Sequence, residues 1–188
     1  TIPQTAATTV GVVTTRQVYN SILNVTKNNI GTSTISPMDL ANLGASISNT
    51  GDPTSVNGPM WMAITSLSGL SCVDVLANDA NSVKAGKTPN FLVQVNLWAS
   101  PPAISDGQIQ DTTNRFARAF WGRNPTSDES STISAAMSAA FQDIRSAAAT
   151  GPGTPATDAV NPGTNRMMFF LCTAMLSSMD THKRTASN

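Results

Sequence analysis

Residues 167–176, MMFFLCTAML, are apolar almost all the way round a helix, and Met179 extends the run. A helix with no polar face needs cover on every side, more than such a segment easily reaches within its own domain. The run follows GPGTPATDAVNPGTN, residues 151–165, whose three Pro and three Gly read as a linker. Behind such a linker, docking of Met168, Phe169, Phe170, Leu171 and Met175 into a partner subunit is the economical way to bury the segment. Folding back onto the chain's own core is the alternative. The run is about half the ~20 residues that a membrane span needs, so no membrane is expected.

At 188 residues the chain suits one domain with extended ends. Hydrophobic residues make up 40%, enough for a core. Charged residues make up 12%, about half of the ~25% usual for a soluble domain, with a formal net charge of zero. A neutral, sparsely charged surface favours association, because charge is what keeps monomers apart. The two cysteines, Cys72 in GLSCVDVL and Cys172 in MFFLCTAML, both sit in apolar stretches. They read as buried free thiols in a reducing compartment. No basic stretch precedes an apolar one at the start, so no signal peptide is expected.

Along the chain, TIPQTAATTVGVV reads as an extended arm. Residues 15–30 carry Val18, Ile22 and Val25 at helical spacing. A second helix starts at Ser36-Pro37, and a third begins near Pro59 and runs towards Ala77. Residues 78–87, NDANSVKAGK, look like a loop. Residues 91–97 alternate like a strand, but Thr88-Pro89 resembles a helix start, and a short buried helix is preferred. Asp111 is a candidate cap for the segment after it. The clearest helix spans residues 127–150, with Ser127 as cap, Asp128 and Glu129 in its first turn, and Ile133, Met137, Phe141 and Ile144 along one face. The fold class is mainly α.

Enzyme chemistry has little to work with. His182, the single histidine, lies in the polar stretch DTHKRTASN, and a Cys172–His182 dyad ten residues apart reads as chance. With no second His and no CxxC, no metal site is expected; with no GxGxxG and no GxxxxGK[ST], neither is a nucleotide cofactor. Asn24-Val25-Thr26 matches a glycosylation acceptor, but nothing else points to secretion.

The basic and aromatic residues concentrate in NRFARAFWGRNP, residues 114–125. On a helix Arg115 and Arg118 share one face, while Phe116 and Phe120 share another, with Trp121 near Arg118. One segment can then pack into a core and offer cations to a polyanion, with planar groups for stacking on bases. The competing reading is a core helix with solvated arginines, one of them paired with Asp111.

In this stretch the chain resembles the coat proteins of flexuous filamentous plant viruses, the potexviruses and their alphaflexivirus relatives. RFARAFWGRNP resembles their basic–Phe–Ala–aromatic signature and Asn-Pro turn. SPPAIS at 100–105, SDESSTISAAMSAAFQDIRSA downstream and GPMWMAITSLSGLSCVDV upstream match other family features in the same order, over roughly residues 36–148. The interval from Cys72 to Ser100 is shorter than in the family and lacks its RNA-holding arginine. Lys84 and Lys87 are the nearest cations. Phe120 or Trp121 stands where the family has an aspartate, so that role is not carried over.

The resemblance implies a helical-bundle core, residues 36–150, between an N-terminal arm with a short helix, residues 1–35, and a linker and C-terminal arm, residues 151–188. It implies a homo-oligomer, a helical filament around single-stranded RNA, found in the virion and before assembly in the host cytoplasm. The expected RNA contacts are Arg115, Arg118 and Arg123, with Lys84, Lys87, Asn78 and Ser82 as secondary candidates. The alternatives are a structural polymer without nucleic acid, a nucleocapsid of another virus type, and a monomeric interaction domain.

Overall fold

The computed structural model describes residues 15–26, 35–36, 38, 41–42, 58–100, 104–141 and 159–178. Among them the fold is mainly helical, with no strand: α1 Thr15–Thr26, α2 Gly58–Lys84, α3 Asp106–Phe120, α4 Ser127–Ala140 and α5 Pro162–Ser177. The N-terminal arm, most of the expected second helix, residues 142–150 and the polar C-terminal stretch lie outside the described residues.

α2 and α5 form the central pair, α1 packs on α2 and α3, α3 packs on α5, and α4 leans on α3. In α2 the residues turned inward come as neighbours every fourth position: 63–64, 67–68, 71–72, 75–76 and 79–80. That stripe carries the helix well past Ala77, through the stretch expected to be a loop. Its last members are Asp79 and Ala80, so the hydrophobic signal fades before the helix does. Gly86, at φ +68°, ends it. The Lys87 amide donates to the Ser82 carbonyl and the Gly86 amide to that of Val83, a Schellman closure that favours glycine at the left-handed position.

The expected short helix at 91–97 is replaced by an irregular chain. The buried Asp79 carboxylate accepts the backbone amides of Asn90, Phe91 and Leu92, each at 2.8 Å. A side chain from α2 thus takes the hydrogen bonds that a helix or sheet would have taken. Phe91, Leu92, Val95, Leu97 and Trp98 are buried around it. Burial pushes the Asp79 carboxyl above its ordinary value, opposed by the three amides and by the charge of Arg115.

Helix starts follow side-chain caps. α3 starts at Ser105 in a capping box with Gln108, so Asp111 is interior rather than the cap. α4 is capped by Thr126, one residue before Ser127, in a box with Glu129. α5 begins inside the expected linker: Asn161 accepts from the Gly163 and Thr164 amides, with Pro162 in the first turn. Asn161 also donates through its amide nitrogens to the carbonyls of Leu97 and Ala99, tying this start to the irregular chain.

Two expectations change in the core. Cys72 and Cys172, expected as free thiols, form a disulfide that joins α2 to α5 across 100 residues of sequence. Met168, Leu171 and Met175, assigned to an inter-subunit arm, are buried in the chain's own core with Met167, Cys172 and Leu176. The α2 surface and the covalent bond cover the all-apolar helix from within the molecule. Phe169 packs partly against the core, whereas Phe170 remains 48% exposed. Ile22 and Leu23 of α1 join the same core, so the short helix of the expected N-terminal arm is part of the bundle.

Candidate nucleic-acid interface

α3 is pinned by aromatics. Phe116 and Phe120 are fully buried and stack at 5.1 Å between centroids, and Phe91 lies 5.2 Å from Phe116 and 5.9 Å from Phe120. Rings held this way anchor the helix and are closed to nucleic-acid bases. Their burial turns the opposite side of α3 outward, where Arg118 is exposed.

The three arginines have different surroundings. The Arg115 Nε donates to Asp111 one turn back at 2.8 Å, a half-exposed pair within α3. Its charge also favours the ionised form of Asp79 on α2, the smallest of the influences on that carboxyl. The Arg118 Nε donates to the Asn124 side-chain oxygen at 2.7 Å, a neutral partner that leaves the full positive charge in place. Arg123 grips Glu129 with two nitrogens at 2.6 and 2.7 Å and donates to the Asn124 carbonyl at 3.1 Å. Its guanidinium lies 5.3 Å from the centre of the Trp121 ring.

Asn124 therefore brings Arg118 and Arg123 together, one on its side chain and one on its backbone. Arg115 stands apart from them, paired with Asp111. Asn78, Lys84 and Lys87 are exposed and Ser82 is half-buried on or just beyond the end of α2. The turn between α3 and α4 bends at Gly122, φ +72°, where a side chain would strain the backbone.

Glu129 is the residue that sequence reasoning undervalued. It reads there as a first-turn acid, but it closes the Thr126 capping box, accepts both Arg123 nitrogens and holds the α3–α4 corner. The Arg123 guanidinium, then the Thr126 amide, hold its carboxyl at about 2, and the same bond raises the Arg123 pKa. Glu129 three residues after Thr126 was the available sequence signal.

Trp121 is half-buried, and its indole N–H donates to the Met175 carbonyl at 3.1 Å. With Arg123 beside its ring, it joins α3 to α5 more than it offers a stacking surface. Among the described residues no group of His, Cys, Asp or Glu could hold a metal ion. No helix among them is long and apolar enough to cross a membrane.

What the geometry defines is a disulfide-joined helical bundle whose α3–α4 corner carries Arg118 on a neutral partner and Arg123 paired with Glu129. The chain matches no protein-family model, no curated protein and no solved structure.

Proposed function

We propose that this chain is the subunit of a helical homopolymer that encloses single-stranded RNA without base specificity, as a viral coat protein does. The observation that carries the reading is Arg118: it sits on the outer face of a helix anchored by Phe116 and Phe120, and its side-chain partner is the neutral Asn124. A phosphate can approach it without breaking an ion pair. Arg123 lies at the same asparagine but is paired with Glu129, as Arg115 is with Asp111, and Lys84 and Lys87 supply positive charge at the end of α2. The sparse charge and zero net charge suit a surface covered by copies of itself. With Met168, Leu171 and Met175 inside the fold, contacts between subunits have to come from other parts of the chain. Disulfides persist in oxidising surroundings, so the bonded form belongs to the virion rather than to the host cytoplasm.

A structural polymer without nucleic acid is the second reading. It is favoured by one observation, that Arg115 and Arg123 each already hold a carboxylate.

RNA binding at different salt concentrations separates the two. On the coat reading, affinity falls with salt, and Arg118→Ala lowers the slope of log affinity against log salt by about 0.7 for the lost phosphate contact. If the variant keeps both affinity and slope, Arg118 is off the RNA path. If neither protein binds RNA, the structural polymer is the better reading.

A further inference from the structure

α4 leans on α3 and makes little contact with α5, and Phe141, just past the end of α4, meets Phe170 edge to face. Between the two helices runs an open groove of about 460 Å³. Its walls repeat at helical spacing: Ile133, Ala136 and Met137 from α4 face Phe170, Ala174 and Met175 from α5. Asp128 and Glu129 line the mouth beside Ser178, and Phe141 meets Phe170 towards the other end, so the helices run antiparallel. The fold thus leaves apolar side chains of two helices facing each other across a gap, with Phe170 half exposed.

We infer that this groove is a docking site for a short amphipathic helix of a protein partner, apolar on one face and carrying Lys or Arg at the end that meets Asp128. Three features select that occupant. Both walls advance by three to four residues, the spacing at which an incoming helix presents its i, i+3, i+4 and i+7 side chains. Ala136 and Ala174 are exposed and leave room for projecting side chains, while Met137 and Met175, which also line the groove, are buried beneath them. The charged residues in the lining are both acidic: Glu129 is engaged with Arg123, and Asp128 stands exposed at the mouth. A basic end is complementary to that mouth and an acidic one is repelled. The site adjoins the Arg123 corner through Trp121 and Glu129, which line it, but does not depend on RNA binding.

The test uses the full chain and two fluorescein-labelled peptides of about fifteen residues, with leucines at i, i+3, i+4 and i+7 and either lysines or glutamates elsewhere. Fluorescence anisotropy is expected to give tighter binding of the lysine peptide, by about tenfold or more. Ala136→Trp fills the groove from one wall and Ala174→Trp from the other. Both positions are exposed, so circular dichroism should remain unchanged while lysine-peptide binding falls by about tenfold. Asp128→Lys should remove most of the preference between the peptides.

Equal binding of the two peptides, or unchanged binding after both tryptophan substitutions, overturns the inference. So does self-association that either substitution abolishes, because the occupant is then a second copy. Tighter peptide binding after deletion of residues 179–188 overturns it as well, because the chain's own end then fills the groove.

Discussion

Glu129 and Asp79 are both carboxylates serving as structural acceptors, but they respond to acid in opposite directions. Glu129 is held at about 2, below its ordinary 4.5, so it binds its proton less tightly in the folded chain than in the unfolded one. Its contribution is complete above pH 4.5 and is lost as pH falls through the folded value near 2. Glu129→Gln should cost about 1 kcal/mol in urea unfolding at neutral pH, the scale of a partly exposed ion pair, and should flatten the acid limb of the stability profile. Asp79 is raised by burial, so its proton is held more tightly in the folded chain. Ionising it there works against stability above the raised value, and that opposition eases as pH falls. Removing it is still costly, because Asp79→Ala leaves the amides of Asn90, Phe91 and Leu92 without their acceptor. An expected loss of about 2–4 kcal/mol can be read from the urea midpoint. Asp111 opposite Arg115, one turn away on the same helix, was visible in the sequence. The Asp79 bonds were not, because they join a helix to a chain segment eleven to thirteen residues further on.

At the scale of elements, legibility followed the length over which each signal acts. The starts of α3, α4 and α5 depend on side chains within three residues, and the sequence placed the start of α4 to within one residue. The end of α2 was missed because its inward stripe finishes in Asp79 and Ala80 beneath the polar outer residues Asn78, Asn81 and Lys84. The cover for α5 was missed because it comes from α2, about a hundred residues earlier, and no local pattern reports a disulfide between them. That bond closes a loop of 100 residues, and the chain-entropy account gives it about 4–5 kcal/mol. Replacing both Cys72 and Cys172 with alanine should lower stability by that order in urea unfolding. Both sulfurs are fully buried, so thiol alkylation after reductant should require denaturant as well. Alkylation of the native protein under mild reductant would show that α5 opens far more readily than its packing suggests.

At the scale of the whole molecule, the bundle joins a sparsely charged sequence to an exposed Arg118 on α3 and an apolar groove beside α4. The mainly α fold was legible because several apolar stripes recur at helical period between caps and glycines. The candidate site was legible only in part: the basic–aromatic cluster stood out, but the division of its arginines among Asp111, Asn124 and Glu129 emerged from the three-dimensional arrangement. Packaging of RNA by a polymer of this chain is the central claim. Its most direct measurement is an ultraviolet spectrum of the nuclease-treated, high-mass gradient fraction. Three Trp and one Tyr give bare protein a maximum near 280 nm. The account predicts a maximum shifted towards 260 nm by protected RNA. A protein spectrum in that fraction, or no high-mass fraction at all, would contradict it.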